Sequence, residues 1–228
     1  MVDLDTWNLT IPVGTPSTTI SSPSLQQGYS DRYFRAANGG VLFWTPVTGS
    51  RTANAKYPRT ELRETYANGA LRNWYYPAAN NRLRAALSIN QVPSTGRIVI
   101  GQIHVSNSTK PLLKLEYQYE DNVGRIVAKI RNKPDDALPF TAVIREGVPL
   151  NQRFTYSVHL TAAGNLSVTS PGGKWVGRLD SVWKAKPMYF KAGVYAQDNT
   201  GYDREGGKAT FYRLEVLHQP PKPGVSTL

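Results

Sequence analysis

The feature that most limits what this chain can fold into is a repeated alternation of apolar and polar residues over short runs, each closed by Gly, Pro or Asn. A period of two belongs to a β-strand with one face in a core and the other turned away from it. Trp7, Leu9 and Ile11 alternate with polar neighbours until Pro12-Val-Gly14 breaks the run. Gly39-Gly40 introduces a strand over 41–44, and another spans Arg59–Glu64. Leu83, Ala85, Leu87 and Ile89 share one face of the next, which Pro93 ends. Further strands are predicted over 98–105, 112–119, 126–131, 154–161, 166–169, 188–197 and 209–217. Phe154, Tyr156, Val158 and Leu160 are expected to point inward, as are Tyr212, Leu214 and Val216. No long segment keeps a 3.6-residue period, so helix is confined to short turns such as 179–184. About ten short strands with this punctuation predict an all-β sandwich or jelly roll.

Composition narrows the function classes. A chain of 228 residues without internal repeat or linker is read as one domain over 1–218, followed by a Pro-rich disordered tail at 219–228. It has no cysteine, which removes disulfides and thiolate metal sites. Its three histidines, His104, His159 and His218, are not at ligand spacing, so no metal site or cofactor is expected. The net charge of +11 points to a polyanionic partner: nucleic acid, an anionic membrane or an acidic polysaccharide. No apolar run reaches membrane-spanning length. The N-terminus has neither a basic n-region nor an apolar h-region, so no signal peptide is expected. That leaves a cytoplasmic or an already processed chain, and a monomer by default.

Three of the strands carry an unusual polar face. In 188–197, Phe190, Ala192, Val194 and Ala196 form an apolar face, while Tyr189, Lys191, Gly193, Tyr195 and Gln197 share the other. An ordinary solvent-facing strand also tolerates Tyr and Lys, but this combination suits a groove for a polar, negatively charged chain. In Arg59-Thr-Glu-Leu-Arg63, Glu61 lies between Arg59 and Arg63 and is expected to orient both guanidinium groups for carboxylate recognition. The plainer alternative is a solvated ion-pair stripe. In Gln102-Ile-His104, Gln102 and His104 share a face. Histidines are often structural, yet an ordinary pKa near ~6.5 makes His104 a natural proton acceptor. His159 and His218 are read as surface residues. The paired carboxylates of a glycosidase are absent from these stripes, so hydrolysis is disfavoured.

Taken together, Arg59-Thr-Glu-Leu-Arg63, Gln102-Ile-His104 and Tyr189-Phe-Lys-Ala-Gly-Val-Tyr195-Ala-Gln197 resemble, in order, the three signature blocks of the polysaccharide lyase family 7 alginate lyases. Trp7-Asn-Leu-Thr-Ile-Pro12 and Phe211-Tyr-Arg-Leu-Glu-Val-Leu-His218 resemble that family's ends, so the likeness spans nearly the whole chain. Ala196 stands where the family usually has asparagine; by the alternation it faces the core.

The resemblance implies a jelly-roll sandwich of two antiparallel sheets, with the three blocks side by side in a concave groove. It implies cleavage of alginate by metal-independent β-elimination, in which the C5 hydrogen leaves and the C4 oxygen is expelled. On this likeness Arg59 and Gln102 neutralise the uronate carboxylate, His104 is the base for guluronate, and Tyr195 is the acid. For mannuronate, Tyr195 serves as both base and acid. Glu61, Arg63, Tyr189, Lys191 and Gln197 match sugar-binding positions. The isoleucine of Gln-Ile-His is associated in the family with guluronate-containing or mixed blocks. The loops 105–111 and 198–207 are expected to flank the groove. Three competing readings stand beside this one: a lyase of the same fold for another polyuronate, a non-catalytic acidic-polysaccharide-binding module, and a nucleic-acid-binding β protein. The last is disfavoured because its basic residues look scattered outside the groove.

Overall fold

The computed structural model describes residues 2–221. The alternating runs form two antiparallel sheets. The first runs, edge to edge, β10 (Phe140–Arg145), β9 (Val123–Ile130), β8 (Leu113–Glu120), β7 (Arg97–Val105), β14 (Met188–Ala196), β5 (Arg59–Glu64), β1 (Trp7–Ile11) and β2 (Thr18–Ile20). The second runs β13 (Gly173–Arg178), β12 (Asn165–Ser170), β11 (Phe154–Leu160), β6 (Asn80–Gln91), β15 (Gly206–Gln219), β4 (Gly40–Pro46) and β3 (Phe34–Ala37). The three polar-faced segments are therefore neighbours, with β14 between β7 and β5.

One core lies between the sheets. Leu62, Ile98, Ile103, Phe190, Ala192 and Val194 come from the first sheet, and Phe43, Leu83, Leu87 and Phe211 from the second, all fully buried. Fully burying a large apolar side chain contributes about 1.5–3 kcal/mol, so this shared layer fixes which face of each strand looks in. Ala196 is buried as its parity requires.

The strands read from the sequence are present, and the four that were not read (β2, β3, β10 and β13) are the four sheet edges. An edge strand pairs on one side and buries little, so its alternation is weak. The inward assignment of Tyr212 is corrected. The register of β15 on β6 shifts between Phe211 and Arg213, a β-bulge that keeps Phe211 and Leu214 in the core and turns Tyr212 outward. The expected turn is a 3₁₀ segment at Ser181–Ala185, and two more were not foreseen: a 3₁₀ turn at Tyr76–Ala78 and a helix at Ser22–Gln26. That helix has Ser21 as its cap, with Oγ accepting from the Ser24 N–H at 3.3 Å. Gln219 ends β15 rather than starting a tail, and residues 222–228 of the expected tail lie outside the described residues.

His218 is not a surface residue. Its side chain is 7% exposed, with Nε2 at 2.5 Å from Glu64 Oε1 and Nδ1 at 2.7 Å from Asn81 Oδ1. Asn81 Nδ2 donates to the Ala79 carbonyl at 2.8 Å, which fixes Oδ1 as the atom facing the ring. Both imidazole nitrogens thus face side-chain oxygens. Glu64 also accepts from Trp74 Nε1 at 2.8 Å and from the Phe190 N–H at 3.0 Å. This buried network ties β15 of one sheet to β5 and β14 of the other.

Candidate active site

The site is assembled by strand register. Across β14, Tyr189 is opposite His104 and Lys191 is opposite Gln102 on β7; Lys191, Gly193 and Tyr195 are opposite Arg63, Glu61 and Arg59 on β5. All these side chains share the face turned away from the core. Gly193 is the position that makes the arrangement fit. Its φ is +142°, and a Cβ there would lie 2.6 Å from the Thr60 carbonyl oxygen and 2.8 Å from Glu61 Cα. Its missing side chain lets β14 pack closely on the β5 backbone and on Phe43 of the core. A bulge between Ala192 and Tyr195, relative to β7, follows at the same place.

Glu61, the register partner of Gly193, is wholly buried. Its Oε2 accepts from Arg59 Nη1 at 2.9 Å and Lys191 Nζ at 2.7 Å, and its Oε1 accepts from Gln102 Nε2 at 2.5 Å. Burial alone would raise its pKa, but Lys191 and Arg59 outweigh burial and hold it at about 2. Glu61 is thus a permanent anion that fixes two cations and an amide. Burial, then Arg59, draws the Lys191 ammonium down to about 8. Arg59 Nε is buried without a hydrogen-bond partner among the described residues.

The expectation that Glu61 orients both arginines is corrected. Arg63 turns away and donates to the Arg72 carbonyl at 2.8 Å and to Asn73 Oδ1 at 2.6 Å, while its guanidinium carbon lies 3.9 Å from the Tyr189 ring centre. Tyr189 in turn stacks on His104, with ring centres 5.3 Å apart and its hydroxyl 3.2 Å from Nδ1. His104 Nδ1 also lies 3.0 Å from the Val105 carbonyl oxygen and 2.9 Å from its N–H, while Nε2 makes no hydrogen bond to the described residues. Burial first, and then the positive charge of Lys191, lower the His104 pKa to about 3, so the ring is neutral. Tyr195 is 7% exposed and lies with its ring centre 3.8 Å from the Arg59 guanidinium carbon. Burial raises its pKa against the pull of Arg59, so its phenol is protonated. Gln197 turns to the backbone, donating to the Ala196 carbonyl at 3.2 Å, and does not line the groove.

The groove itself has a volume of about 550 Å³. Arg59, Gln102, His104, Tyr189, Lys191 and Tyr195 form its floor, flanked by Asn107–Thr109 and Pro111 on one side and Thr52, Asn54 and Ala55 on the other. The 105–111 loop therefore stands where expected. The 198–207 loop does not: Asn199 reaches only the outer side of the other wall, donating to the Lys56 carbonyl at 3.2 Å. Sequence reasoning also missed Lys114 of β8, which lines the groove with Nζ 5.5 Å from the Tyr195 ring centre. Its signal was an outward lysine between the core residues Leu113 and Leu115.

A family model described as alginate lyase matches residues 2–218. The structure superposes on the alginate lyase A1-II′, a member of polysaccharide lyase family 7, with TM-score 0.85, 30% identity and coverage of 96% of this chain and 97% of that one. The chain belongs to the polysaccharide lyase family 7 alginate lyases. An alginate lyase of Pseudomonas aeruginosa is 47% identical, with TM-score 0.92 over 95% of this chain and 100% of its own. An alginate lyase of Klebsiella pneumoniae is 26% identical over 95% of this chain and 89% of its own length. Variants of A1-II′ have been solved in complex with product (GGG) and with substrate (GGMG). This family 7 member is accordingly a polysaccharide lyase, and its paired antiparallel sheets are the fold of those relatives.

Proposed function

We propose that the chain, acting as one domain over 1–218 and as a monomer, depolymerises alginate by β-elimination without a metal and favours guluronate-containing or mixed blocks. The observation that carries this reading is the Glu61-centred cluster of Arg59, Lys191 and Gln102, with the neutral His104 toward one end of the groove floor and the protonated Tyr195 at the other.

Elimination removes the C5 hydrogen, which is acidic only if the adjacent carboxylate can take up charge. Arg59, Lys191 and Gln102 are pre-oriented by Glu61 to hold that carboxylate, so the stabilisation is in place before charge develops. In the neutral ring with its proton on Nδ1, 3.0 Å from the Val105 carbonyl oxygen, the Nε2 lone pair is the one that accepts the C5 proton. The electron pair of the C5–H bond forms the C4–C5 double bond, the C4–O bond breaks, and Tyr195 delivers its phenolic proton to the departing oxygen. Base and acid on opposite sides of the carboxylate site suit guluronate, whose C5 hydrogen and C4 oxygen lie on opposite sides of the ring. Using Tyr195 as base for mannuronate is harder, because burial favours its protonated form.

The GGG and GGMG complexes of A1-II′, with G read as guluronate and M as mannuronate, support the same preference here. Arg63 and Tyr189 act as a brace for His104, and Lys114 adds a cation for a neighbouring uronate. Absorbance of the new double bond, followed on polyguluronate, polymannuronate and mixed blocks in the presence of chelator, tests the reading. Equal rates on all three would remove the block preference, and loss of activity with chelator would remove the metal independence.

A further inference from the structure

The basic residues outside the groove are not scattered; many of them collect on the outer face of the second sheet. On β4 and β15, Trp44 stands directly opposite Lys208, whose Nζ lies 4.9 Å from the indole centre. With Arg32 and Arg35 they line a recess of about 260 Å³. Among the described residues, none of these three cations has a carboxylate within ion-pair distance. Asp203 also faces the recess, but its Oδ1 accepts from Thr48 Oγ1 at 2.6 Å. Further along β15, the bulge that corrects Tyr212 turns both Tyr212 and Arg213 outward. The Arg153 guanidinium lies 3.6 Å from the centre of the Tyr212 ring. Beyond it, Arg84 and Arg213 line a second recess of about 430 Å³, with the hydroxyls of Thr155, Ser157 and Thr169. Glu215 lies 3.1 Å from Arg213 and 3.8 Å from Arg84 and offsets part of their charge.

From this arrangement we infer that the outer face of the second sheet is a separate, non-catalytic binding track for the acidic polysaccharide, running from the Arg35–Lys208 recess past Arg153 to the Arg84–Arg213 recess. Six cations face two carboxylates along it, so the track attracts a polyanion. Lys208 and Arg213 are five positions apart on one strand, roughly 17 Å, which a polymer spans and a monosaccharide does not. The aromatic rings decide between polyanions. Both Trp44 and Tyr212 carry a cation over the ring, so they hold Lys208 and Arg153 in place rather than offering open faces. Single-stranded nucleic acid needs open faces for base stacking. Carboxylates and sugar hydroxyls need fixed cations and hydroxyl partners, and both recesses supply them. A lyase held by a second track stays on the polymer after each cleavage in the groove.

The inference rests on polyuronate being the substrate, and the test separates the two. Affinity for immobilised polymeric alginate is measured in a Tyr195→Phe background, for the double variant Lys208→Glu/Arg153→Glu and for a control with the same charge change, Lys133→Glu/Lys184→Glu, which lines neither recess. With Tyr195 restored, each pair is assayed on an alginate tetrasaccharide too short to reach both faces. The expected result is about a tenfold loss of polymer affinity for the first pair, a much smaller loss for the control, and unchanged tetrasaccharide cleavage for both. Unchanged cleavage also shows that the variants fold. Equal losses in the two pairs, no loss in either, or a loss seen on single-stranded DNA but not on alginate would overturn the track. If the unsubstituted protein cannot cleave the tetrasaccharide, the groove reading fails, while the polymer comparison still decides the track.

Discussion

At the scale of single residues, the proposed mechanism depends on holding two titratable groups in the protonation states that elimination needs. That proposal needs Tyr195 protonated and His104 neutral, and burial favours both forms. Tyr195→Phe is expected to lower kcat by about 10²–10⁴-fold with an unchanged circular dichroism spectrum, since general acid catalysis contributes on that scale. The low pKa of His104, about 3, follows from burial and from Lys191. A bound uronate brings negative charge to the same cluster and cancels part of that cationic field, so the His104 pKa rises in the complex. The acid limb of kcat should therefore lie at higher pH than the acid limb of kcat/KM, because the two report the complex and the free enzyme respectively. Coincident limbs in a steady-state pH series would contradict this.

At the scale of elements, β14 is the organising strand, and Gly193 is its most constrained position. Gly193→Ala places a Cβ 2.6 Å from the Thr60 carbonyl oxygen at a φ that side chains avoid. It is expected to cost about 1–3 kcal/mol in stability and to lower activity, as read by denaturant melts and initial rates. A wild-type melt would show that β14 and β5 can separate without harm. The polar faces of β5, β7 and β14 were legible in the sequence because parity alone assigns a strand's side chains to faces, and a core on one side forces that parity. Their adjacency was not legible from parity, since β14 enters between two strands far from it in the chain; the family likeness supplied it. What the sequence hid was long-range partner choice. Arg63 and Arg59 have the same local pattern, yet Arg63 finds Asn73 and the Arg72 carbonyl while Glu61 takes Lys191 instead. His218 was misread for the same reason: its partners Glu64 and Asn81 are distant in sequence. The bulge at Tyr212 shifted parity midway along β15, which no local signal announced.

At the scale of the whole molecule, two buried charge networks hold the strands together, and the one around Glu61 and His104 makes the fold sensitive to acid. His218 and Glu64 join the two sheets, and His218→Ala leaves a buried carboxylate with one fewer partner. Breaking one side of a buried pair costs about 3–5 kcal/mol, so this variant should lower the melting temperature without touching the groove. The pH dependence has a definite sign. His104 and Glu61 both have folded pKa values below their ordinary ones, about 3 against 6.5 and about 2 against 4.5. Depressed values favour the fold above the ordinary pKa and lose that contribution as pH falls, so stability should decline below about 6.5 and more steeply below about 4.5. Flat melting temperatures from neutral pH to about 4 would contradict that sequence of losses. The net charge of +11 adds a salt dependence to polymer binding, which should weaken as ionic strength rises. The most direct test of the central claim is the ultraviolet absorbance of the C4–C5 double bond during incubation with polyguluronate and chelator. The account predicts a steady rise that His104→Ala and Tyr195→Phe each abolish; a flat trace with the unsubstituted protein, or an undiminished rise in either variant, would contradict it.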